Sequence, residues 1–346
     1  MKNQEMILMK EFGLVNEVYG DIKKLIDVSK KTIYQTVNVE MLQLYWHIGK
    51  MIMEIQVDNR AGYGKEVLKT ISKKLVSEYV NGFSERNLRN MRQFYVFFSI
   101  WQTVSAKLSW SHYLELIKIK EELKRNFYMQ EAINSRWSVR ELQRQIHSLL
   151  YERIAISKNK EELLELANKG AIIRSGKDLV KDPFVLEFLD IKENTDYLES
   201  DLQDNLLKHL KEFLLELGKG FMFVGSHVRI TLEEDHFYPD LVFYNRLLKC
   251  FVIIDLKVHK LTHQDIGQMQ MYVNYYDRTI KKEDENSTIG ILLATIKNET
   301  VVEYTLPENS NNIYASIYKL GFPSKEELIK VIEYEKGMYE LNCKNK

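Results

Sequence analysis

Apolar residues in the first half of the chain recur every three or four positions, the spacing at which side chains share one face of an α-helix. Leu14, Val18, Ile22 and Leu25 form one such stripe. Polar turn formers interrupt the pattern at 58–62 and at 81–84. The spacing predicts helices at 14–35, 39–55, 64–80 and 85–98, then from 108 onward and at 139–156. The first half is therefore predicted to be all-α.

The second half has a different pattern, in which runs of Val, Ile, Phe and Tyr are bounded by turn residues. It predicts a helix at about 200–217, strands at 221–230, 238–245 and 250–257, a helix at 264–278 and a strand at 288–296. Less regular stretches predict a short helix at 183–189, a strand at 301–306 and a closing helix from Ser324 to about 338. A polar stretch at 170–182 separates the halves. We therefore expect a helical domain at 10–170 and an α/β domain at 171–346.

The turn at 81–84 joins two predicted helices, which is the outline of a helix-turn-helix. Ser84 is a suitable N-cap for the second helix. That helix carries Arg86, Arg89, Asn90 and Arg92, side chains that can contact phosphates and base edges in DNA. An ordinary pair of helices with a solvated basic face is the alternative.

Charge is unevenly distributed, although 49 Lys and Arg balance 49 Asp and Glu over the whole chain. Residues 60–160 hold 19 basic and 9 acidic side chains, a net charge of +10. Such a basic segment favours a nucleic-acid partner. Only two cysteines occur, and neither a secretory signal nor a run of about 18 apolar residues is visible. These features predict a cytoplasmic protein without a membrane partner.

Candidate chemistry lies at the ends of two predicted neighbouring strands. Asp240 begins one strand and Asp255 ends the next, with Lys257 on the same face because side chains alternate along a strand. Two carboxylates and the Leu256 carbonyl would suit Mg²⁺ or Mn²⁺, which prefer oxygen ligands. Lys257 would orient an attacking water or neutralise charge in the transition state. Solvated charges at strand ends are the alternative explanation.

The order of elements and the residues Pro239-Asp240 and Asp255-Leu256-Lys257 resemble the αβββαβ core of PD-(D/E)xK nucleases, a restriction-endonuclease-like fold. More narrowly, the chain resembles the YhcG-type nuclease family. The segments that carry this resemblance are YWHIG at 45–49, GFSERNL at 82–88, MRQFY at 91–95, LSWSHY at 108–113, FLLELGKGF at 213–221, DLVFYN at 240–245, IDLK at 254–257, Gly267-Gln268 and TIGILL at 288–293.

The resemblance implies further site residues. Glu199 would complete the metal site from the first core helix, with Glu212 and Glu216 as alternatives. Gln268 and Tyr272 lie four positions apart on one helix face and match a Gln-x-x-x-Tyr addition, although Tyr272 could equally belong to the core. His227 stands where the family pattern has Gln, and Asp255 stands where Glu is commoner.

Two classes of function follow from these features. The first is a metal-dependent nuclease that hydrolyses DNA, with RNA or branched DNA as alternative substrates. The second is a DNA-binding or scaffold protein whose nuclease fold is not catalytic. A homo-oligomer is compatible with either class.

Overall fold

The computed structural model describes residues 2–58, 63–79, 81–101, 104–155, 160–191, 197–296, 299–305, 312–324 and 326. The chain forms two compact units. The first comprises residues 1–125 and 136–142, and the second comprises residues 126–135 and 143–346. Two of the three unit boundaries, at 125/126 and 142/143, fall inside helices, and the third, at 135/136, coincides with a helix end.

The first unit is helical, as its hydrophobic pattern predicts. Its first four helices are α1 (Lys2–Asp58), α2 (Tyr63–Tyr79), α3 (Glu85–Phe97) and α4 (Trp110–Leu116). The two helices predicted at 14–35 and 39–55 are one helix of 57 residues. No proline or glycine lies between them, so the β-branched residues near position 37 lower helix propensity without stopping the helix.

The helices α1 and α3 approach so closely that their contact requires a glycine. A Cβ atom on Gly49 would lie 2.1 Å from the Met91 carbonyl oxygen. Around this contact Tyr45, Ile52 and Leu88 are buried. The YWHIG segment is thus explained by packing: its aromatic and aliphatic side chains fill the core, and its glycine admits the neighbouring helix.

Capping signals in the sequence mark real helix starts. Ser84 caps α3 by accepting a hydrogen bond from the Asn87 backbone N–H at 3.3 Å. Ser138 and Glu141 form the predicted capping box, since the Ser138 N–H donates to Glu141 at 2.7 Å and the Glu141 N–H donates to the Ser138 hydroxyl at 3.3 Å. This box opens α6 (Val139–His147). Leu149, with a φ of 54°, separates α6 from α7 (Leu150–Ala155).

The second unit includes helices that the sequence assigns to the first domain. These are most of α5 (Glu122–Ser135), the end of α6, α7 and α8 (Lys160–Lys169). Arg144 of α6 binds Glu187 at 2.6 Å, and Arg153 of α7 binds the fully buried Glu216 at 2.6 Å. The domain boundary predicted between residues 170 and 171 does not coincide with the division into compact units, because these ion pairs tie α6 and α7 to the α/β part.

A six-stranded sheet forms the centre of the second unit, in the order β1-β8-β7-β6-β5-β2. Its strands are β1 (Phe184–Val185), β2 (Phe221–Ser226), β5 (Leu241–Asn245), β6 (Cys250–Lys260), β7 (Ile289–Ile296) and β8 (Ile313–Lys319). The strands β6, β7, β8 and β1 run parallel, whereas β5 and β2 are antiparallel to their neighbours. A separate hairpin pairs β3 (Ile230–Leu232) with β4 (Asp235–Phe237).

Helices cover both faces of this sheet. On one face, α9 (Glu199–Lys208) and α10 (Leu210–Leu217) pack on Phe243 and Ile254. On the other, α11 (His263–Tyr275) packs on Ile253 and Leu292. The single helix predicted at about 200–217 is therefore two helices, which separate at His209, where φ is −109° and ψ is 33°.

Several weak predictions for the second half are wrong. The predicted helix at 183–189 is the strand β1 followed by one turn of 3₁₀-helix. The predicted strand at 301–306 is the helix α12 (Glu299–Thr305), and β8 follows it without having been predicted. The first core strand ends at Ser226, and Ile230 belongs to the separate hairpin. The predicted closing helix after Ser324 lies almost wholly outside the described residues.

Among the described helices, none combines the length and the apolar composition that crossing a membrane requires.

Candidate functional site

Two carboxylates meet where β5 begins and β6 nears its end. The antiparallel register pairs Leu241 with Ile254, which brings the preceding Asp240 opposite Asp255. The Leu256 N–H donates to Asp240 Oδ2 at 2.7 Å. The Asp240 N–H lies 3.4 Å from Asp255 Oδ1. The strand pairing therefore brings together the two acids that the sequence singles out.

Lys257 joins this pair and links it to α9. Its Nζ lies 2.9 Å from Asp255 Oδ2 and 3.6 Å from Glu199 Oε2. Glu199 also accepts a 3.4 Å hydrogen bond from the Val258 N–H. Glu199 is the first residue of α9, so its position depends on where that helix starts. Four of the predicted site residues are thus neighbours in space.

The electrostatics of this cluster are unusual for carboxylates. Burial and, to a smaller extent, the nearby Asp255 charge together raise the pKa of Asp240 to about 7, against the opposing effects of the Leu256 N–H and Lys257. Burial acts to lower the pKa of Lys257, but the charge and hydrogen bond of Asp255 outweigh it and raise that pKa. A proton or another cation beside Asp240 is therefore favoured.

The cluster is partly buried, and exposure differs among its residues. Asp255 and Lys257 are buried, with 3% and 8% of their surface exposed, whereas the Glu199 side chain is 35% exposed. Asp240 is partly exposed. Solvent or a ligand can therefore reach the cluster from the side of Asp240 and Glu199.

Gln268 and Tyr272 lie behind the cluster on α11. The Gln268 amide donates to the Tyr272 hydroxyl at 2.7 Å. Tyr272 is only 1% exposed. Burial raises its pKa to about 12, and the Asp255 charge acts in the same direction, as expected for a ring near that carboxylate. The Gln268 amide therefore donates to Tyr272 rather than to a carboxylate of the cluster.

The sequence analysis missed one residue that contacts the site. Gln203 is 3% exposed and donates from Nε2 to the Asp240 carbonyl oxygen at 2.8 Å. His227 donates from its backbone N–H to the same oxygen at 3.2 Å. Gln203 lies four residues after Glu199, one turn further along the same helix face. That four-residue spacing was the signal available in the sequence. It is not specific, because polar residues one turn apart are common on helices.

Glu216, one of the alternatives to Glu199, does not join the cluster. Glu216 binds Arg153 at 2.6 Å and Arg144 at 3.2 Å. Burial alone would raise the pKa of Glu216, but Arg153, Lys181 and Arg144 lower it to about 2. His259, two residues beyond Lys257, lies 3.5 Å from Glu199 through Nε2.

The donor chemistry fits a hard divalent cation. Asp240 and Asp255 offer oxygen ligands, and the raised pKa of Asp240 reflects burial and repulsion from Asp255, both of which a cation between the two carboxylates would offset. The Leu256 carbonyl belongs to the same strand end, although its side chain is fully buried in the core. Within the described part of the chain, no three His, Cys, Asp or Glu side chains form a ready metal cluster. Lys257 lies beside Asp255 and Glu199 instead.

The predicted nucleic-acid residues lie on α3 of the first unit. Arg86 and Arg89 are exposed, and Arg89 forms an ion pair with Glu85. Asn90 and Arg92 are partly buried. Two other polar side chains of this helix have structural roles: Asn87 donates to the Gly82 carbonyl, and Gln93 donates to the Ile117 carbonyl at 2.8 Å. The exposed basic face is thus narrower than the sequence suggests.

Comparison with known proteins places the chain in a family. Residues 177–332 match the YhcG PDDEXK nuclease domain, and residues 21–153 match the DUF1016 N-terminal domain. The protein named "Putative nuclease YhcG" from Escherichia coli (strain K12) is 36% identical, over 90% of this chain and 92% of its own length.

Among solved structures, a repair endonuclease from Pyrococcus abyssi is similar over 38% of this chain and 50% of its own chain, at 16% identity and a TM-score of 0.25. That overlap is too small to support an argument. The sequence matches are sufficient, and they agree with the sheet, the flanking helices and the acidic cluster described above. The chain belongs to the YhcG family, with a DUF1016 N-terminal domain followed in sequence by that family's PD-(D/E)xK nuclease domain.

Proposed function

We propose that this protein is a Mg²⁺- or Mn²⁺-dependent endonuclease that hydrolyses phosphodiester bonds in DNA. One observation carries the proposal: Asp240, Asp255, Lys257 and Glu199 come together at the paired ends of β5 and β6. That arrangement combines acidic oxygen donors with one ammonium group at an opening to solvent. Nuclease domains of this family supply the chemical context.

Each residue has a role that its surroundings support. Asp240, Asp255 and the Leu256 carbonyl would hold the cation, and Glu199 would complete its ligands from α9. When bound, the cation supplies Lewis-acid polarisation of the phosphate and activation of water. Lys257 neutralises charge that grows on the phosphate and orients the attacking water from its place beside Asp255. Gln268 and Tyr272 would support Lys257 and Asp255 from behind.

DNA would be held in part by the first unit. Arg86 and Arg89 of α3 are exposed and belong to a segment of net charge +10. Arginine binds phosphate oxygens through two parallel hydrogen bonds. Asn90 and Arg92 lie further along the same helix, near its middle. These four residues are proposed as a nucleic-acid contact, in the manner of a helix-turn-helix.

A plasmid-nicking assay tests the proposal. We expect the purified protein to nick or linearise plasmid DNA with Mg²⁺ or Mn²⁺ and to stop when a chelator is added. Asp240→Asn should abolish cleavage. Asp204→Asn is the matched control, since Asp204 is an exposed acid on α9. Cleavage that survives both the chelator and Asp240→Asn would show that this cluster is not the catalytic centre.

A non-catalytic role in DNA binding is the second candidate, and one observation favours it. Lys257 lies 2.9 Å from Asp255, so its ammonium group already occupies part of the space that a cation would need. In that case Mn²⁺ should not bind the wild type, as measured by calorimetry, while DNA affinity stays unchanged in Asp240→Asn. Metal binding that Asp240→Asn removes would exclude this candidate.

The substrate class needs its own experiment. Linear, nicked, branched and single-stranded DNA and RNA should be compared side by side with Mg²⁺ and with chelator. We propose duplex DNA as the preferred substrate because the major groove of duplex DNA admits an α-helix, and α3 carries the exposed basic side chains. A cytoplasmic location is proposed on the basis of the cysteine content alone.

A further inference from the structure

The helix α1 has two apolar faces, and its own unit covers only one of them. Leu42, Tyr45 and Ile52 are buried against the unit. On another face, large apolar side chains stay exposed along most of the helix. We call them the exposed stripe: Val18, Tyr19, Ile22, Leu25, Ile26, Ile33, Val37, Leu44, Met51 and Ile55. At 3.6 residues per turn they fall within about one third of the helix circumference, on the side away from Tyr45.

The N-terminal part of the stripe lies on a helix that its own unit does not support. Residues 21–37 are exposed on every side. Within the described part of the chain, the side-chain hydrogen bonds of this segment stay inside the helix, as in Thr32 to Val28. The first bond to a distant element comes from Asn38, which donates to the Leu108 carbonyl at 2.9 Å.

Such a segment is not expected to stay solvated. Isolated helices of this length are marginal in water, and Leu25, Ile33 and Val37 expose 67%, 62% and 55% of their surface. Contiguous apolar surface of this extent marks an interaction site. The stripe also continues along Leu44 and Met51, beside the packed part of the helix. A partner that covers the whole stripe must therefore be long and helical.

We infer that the partner is a second copy of this chain, with the two α1 helices paired antiparallel along their exposed stripes. The unsupported N-terminal half of each helix would then cover the exposed stripe of the other copy's C-terminal half. Both copies use the same surface of α1 in this contact, so it is self-complementary, as a two-fold interface requires. This inference does not depend on the proposed nuclease activity.

Charge complementarity sets the direction and register of the pair. Asp21 and Lys50 lie on the same flank of the stripe, 29 residues apart. With the two-fold axis between residues 35 and 36, Asp21 of one copy lies level with the partner's Lys50, and the reverse contact repeats it. In a parallel pair, Asp21 lies level with the partner's Asp21 instead. Only the antiparallel pair brings these opposite charges together.

The same register matches apolar groups and one of the two charges that lie inside the stripe, Glu40 and Glu54. Met51 comes between the levels of the partner's Val18 and the partner's Ile22, and Leu44 comes beside the partner's Ile26. Glu40 lies within one residue of the level of the partner's Lys30, so its carboxylate gains a cationic neighbour. Apolar side chains therefore meet apolar ones at the levels where they are exposed.

The contact area is sufficient for a stable dimer. At ~1.5 Å per residue, the stripe from Val18 to Ile55 is ~57 Å long, and one third of the circumference of a helix ~10 Å wide is ~10 Å. Each helix thus contributes on the order of 600 Å², or ~1,200 Å² in total, which enters the range of specific interfaces. A short peptide would cover only part of this length.

The oligomeric state of the full chain tests the inference. Sedimentation equilibrium over a concentration series should give a dimer for the wild type. Ile22→Glu with Ile33→Glu should raise the dissociation constant by ~100-fold or more, because each change removes buried apolar surface twice in a symmetric dimer. Glutamate has the higher helix propensity of the two residues, so loss of the dimer would not reflect loss of the helix.

Val28→Glu is the matched control, since Val28 is 63% exposed on the same segment but lies outside the stripe. It should leave the dimer intact. A wild type that stays monomeric at every concentration would overturn the inference, and the stripe would then serve a different protein. A dimer that tolerates Ile22→Glu with Ile33→Glu would overturn it as well.

Cysteine cross-linking tests the direction of pairing. In a Cys343→Ser background, Asp21→Cys and Lys50→Cys should each stay uncross-linked alone and form a disulfide-linked dimer when mixed. Cys250 is buried, and burial raises the pKa of its thiol to about 11, so it should not react. Cross-linking of Asp21→Cys with itself would indicate a parallel pair and contradict the inferred arrangement.

Discussion

At the scale of single residues, the arrangement of Lys257 has the sharpest consequence. Its ammonium group neutralises Asp255 at 2.9 Å and approaches Glu199 at 3.6 Å. A cation that uses these carboxylates must share them with Lys257. Metal affinity and catalysis should therefore respond in opposite directions when this side chain loses its charge.

Lys257→Met tests that expectation. Mn²⁺ binding, measured by calorimetry, should become tighter because a competing positive charge is removed. Cleavage should fall by ~100-fold or more, since the group that stabilises transition-state charge is lost. Lys260→Met, on the exposed end of the same strand, should change neither quantity. Weaker metal binding in Lys257→Met would mean that the lysine helps to hold the cation rather than competing with it.

The raised pKa of Asp240 predicts how stability depends on pH without metal. Its ordinary value is 3.8, and burial together with the Asp255 charge raises it to about 7 in the native protein. The native state therefore holds a proton that the unfolded chain releases, and stability decreases as the pH rises from about 4 through about 7. Asp240→Asn should flatten this decrease in urea denaturation, whereas Asp204→Asn should not. Adding Mg²⁺ should restore wild-type stability at the upper end of the window.

Residue patterns revealed the centre of the site but not its supports. Asp240, Asp255 and Lys257 are visible in the sequence because strand alternation and turn residues place them at neighbouring strand ends. Gln203 was missed because its contact is with the Asp240 backbone carbonyl, and no side-chain pattern encodes a backbone partner. Whether these residues act as ligands and catalysts stays a prediction.

At the scale of elements, the crossing of α1 and α3 depends on one glycine. A Cβ on Gly49 would meet the Met91 carbonyl at 2.1 Å, whereas a Cβ on Gly20 of the same helix meets nothing within 4 Å. Gly49→Ala should destabilise the protein by about 1–3 kcal/mol through overpacking. Gly20→Ala should be neutral or stabilise by roughly 0.5–1 kcal/mol, because alanine favours the helix. Thermal unfolding of both variants measures the difference.

The buried ion cluster around Glu216 should control unfolding in acid. The ordinary pKa of this carboxyl is 4.5, and its basic neighbours hold it at about 2 despite full burial. Stability from this group is present above about 4.5 and is lost as the pH falls toward 2, a contribution of roughly 3 kcal/mol.

Urea denaturation across that pH range measures the effect. The wild type should lose stability steeply, whereas Glu216→Gln should be less stable at neutral pH and show a weaker dependence. Glu54→Gln, which removes an exposed carboxylate, is the control and should follow the wild type. A wild type with a flat profile between these pH values would contradict the role given to the cluster.

Element prediction failed where local preference and packing disagree. The segment at 301–305 has β-branched residues typical of a strand, yet it forms a helix whose Val301 and Val302 pack beside α11. Two helices were predicted at 14–35 and 39–55, although α1 continues without a break through the residues between them. The helices α2, α3 and α11 and the strands β5, β6 and β7 were predicted correctly, because their hydrophobic patterns are regular.

At the scale of the whole molecule, the two units suggest separable tasks. We expect Arg86→Ala with Arg89→Ala to weaken DNA binding, and to lower the slope of log affinity against log salt by about 1.8, since each lost phosphate contact removes about 0.9. Mn²⁺ binding by the second unit should stay unchanged. Fluorescence anisotropy at several salt concentrations measures the first effect. An unchanged slope would remove these arginines from the DNA contact.

The division into units could not be predicted from composition. The polar stretch at 170–182 has the usual character of a linker. Arg144 and Arg153 belong to the basic segment at 60–160, and arginine side chains are ordinarily exposed. Both are in fact held by acids of the α/β part, Glu187 and Glu216. A pair of charges distant in sequence and buried together leaves no trace in a hydrophobic pattern.

The interruption at His209 gives α9 and α10 independent rotations about their axes. α9 carries Glu199 and Gln203 to the acidic cluster, while α10 carries Glu216 to the arginines. In one unbroken helix, the angle between these side chains would be fixed by their sequence separation. Because the helix stops and restarts, the orientation of the chemical groups and the anchoring of the sheet can be optimised separately, and substitutions on one side of His209 need not be compensated on the other.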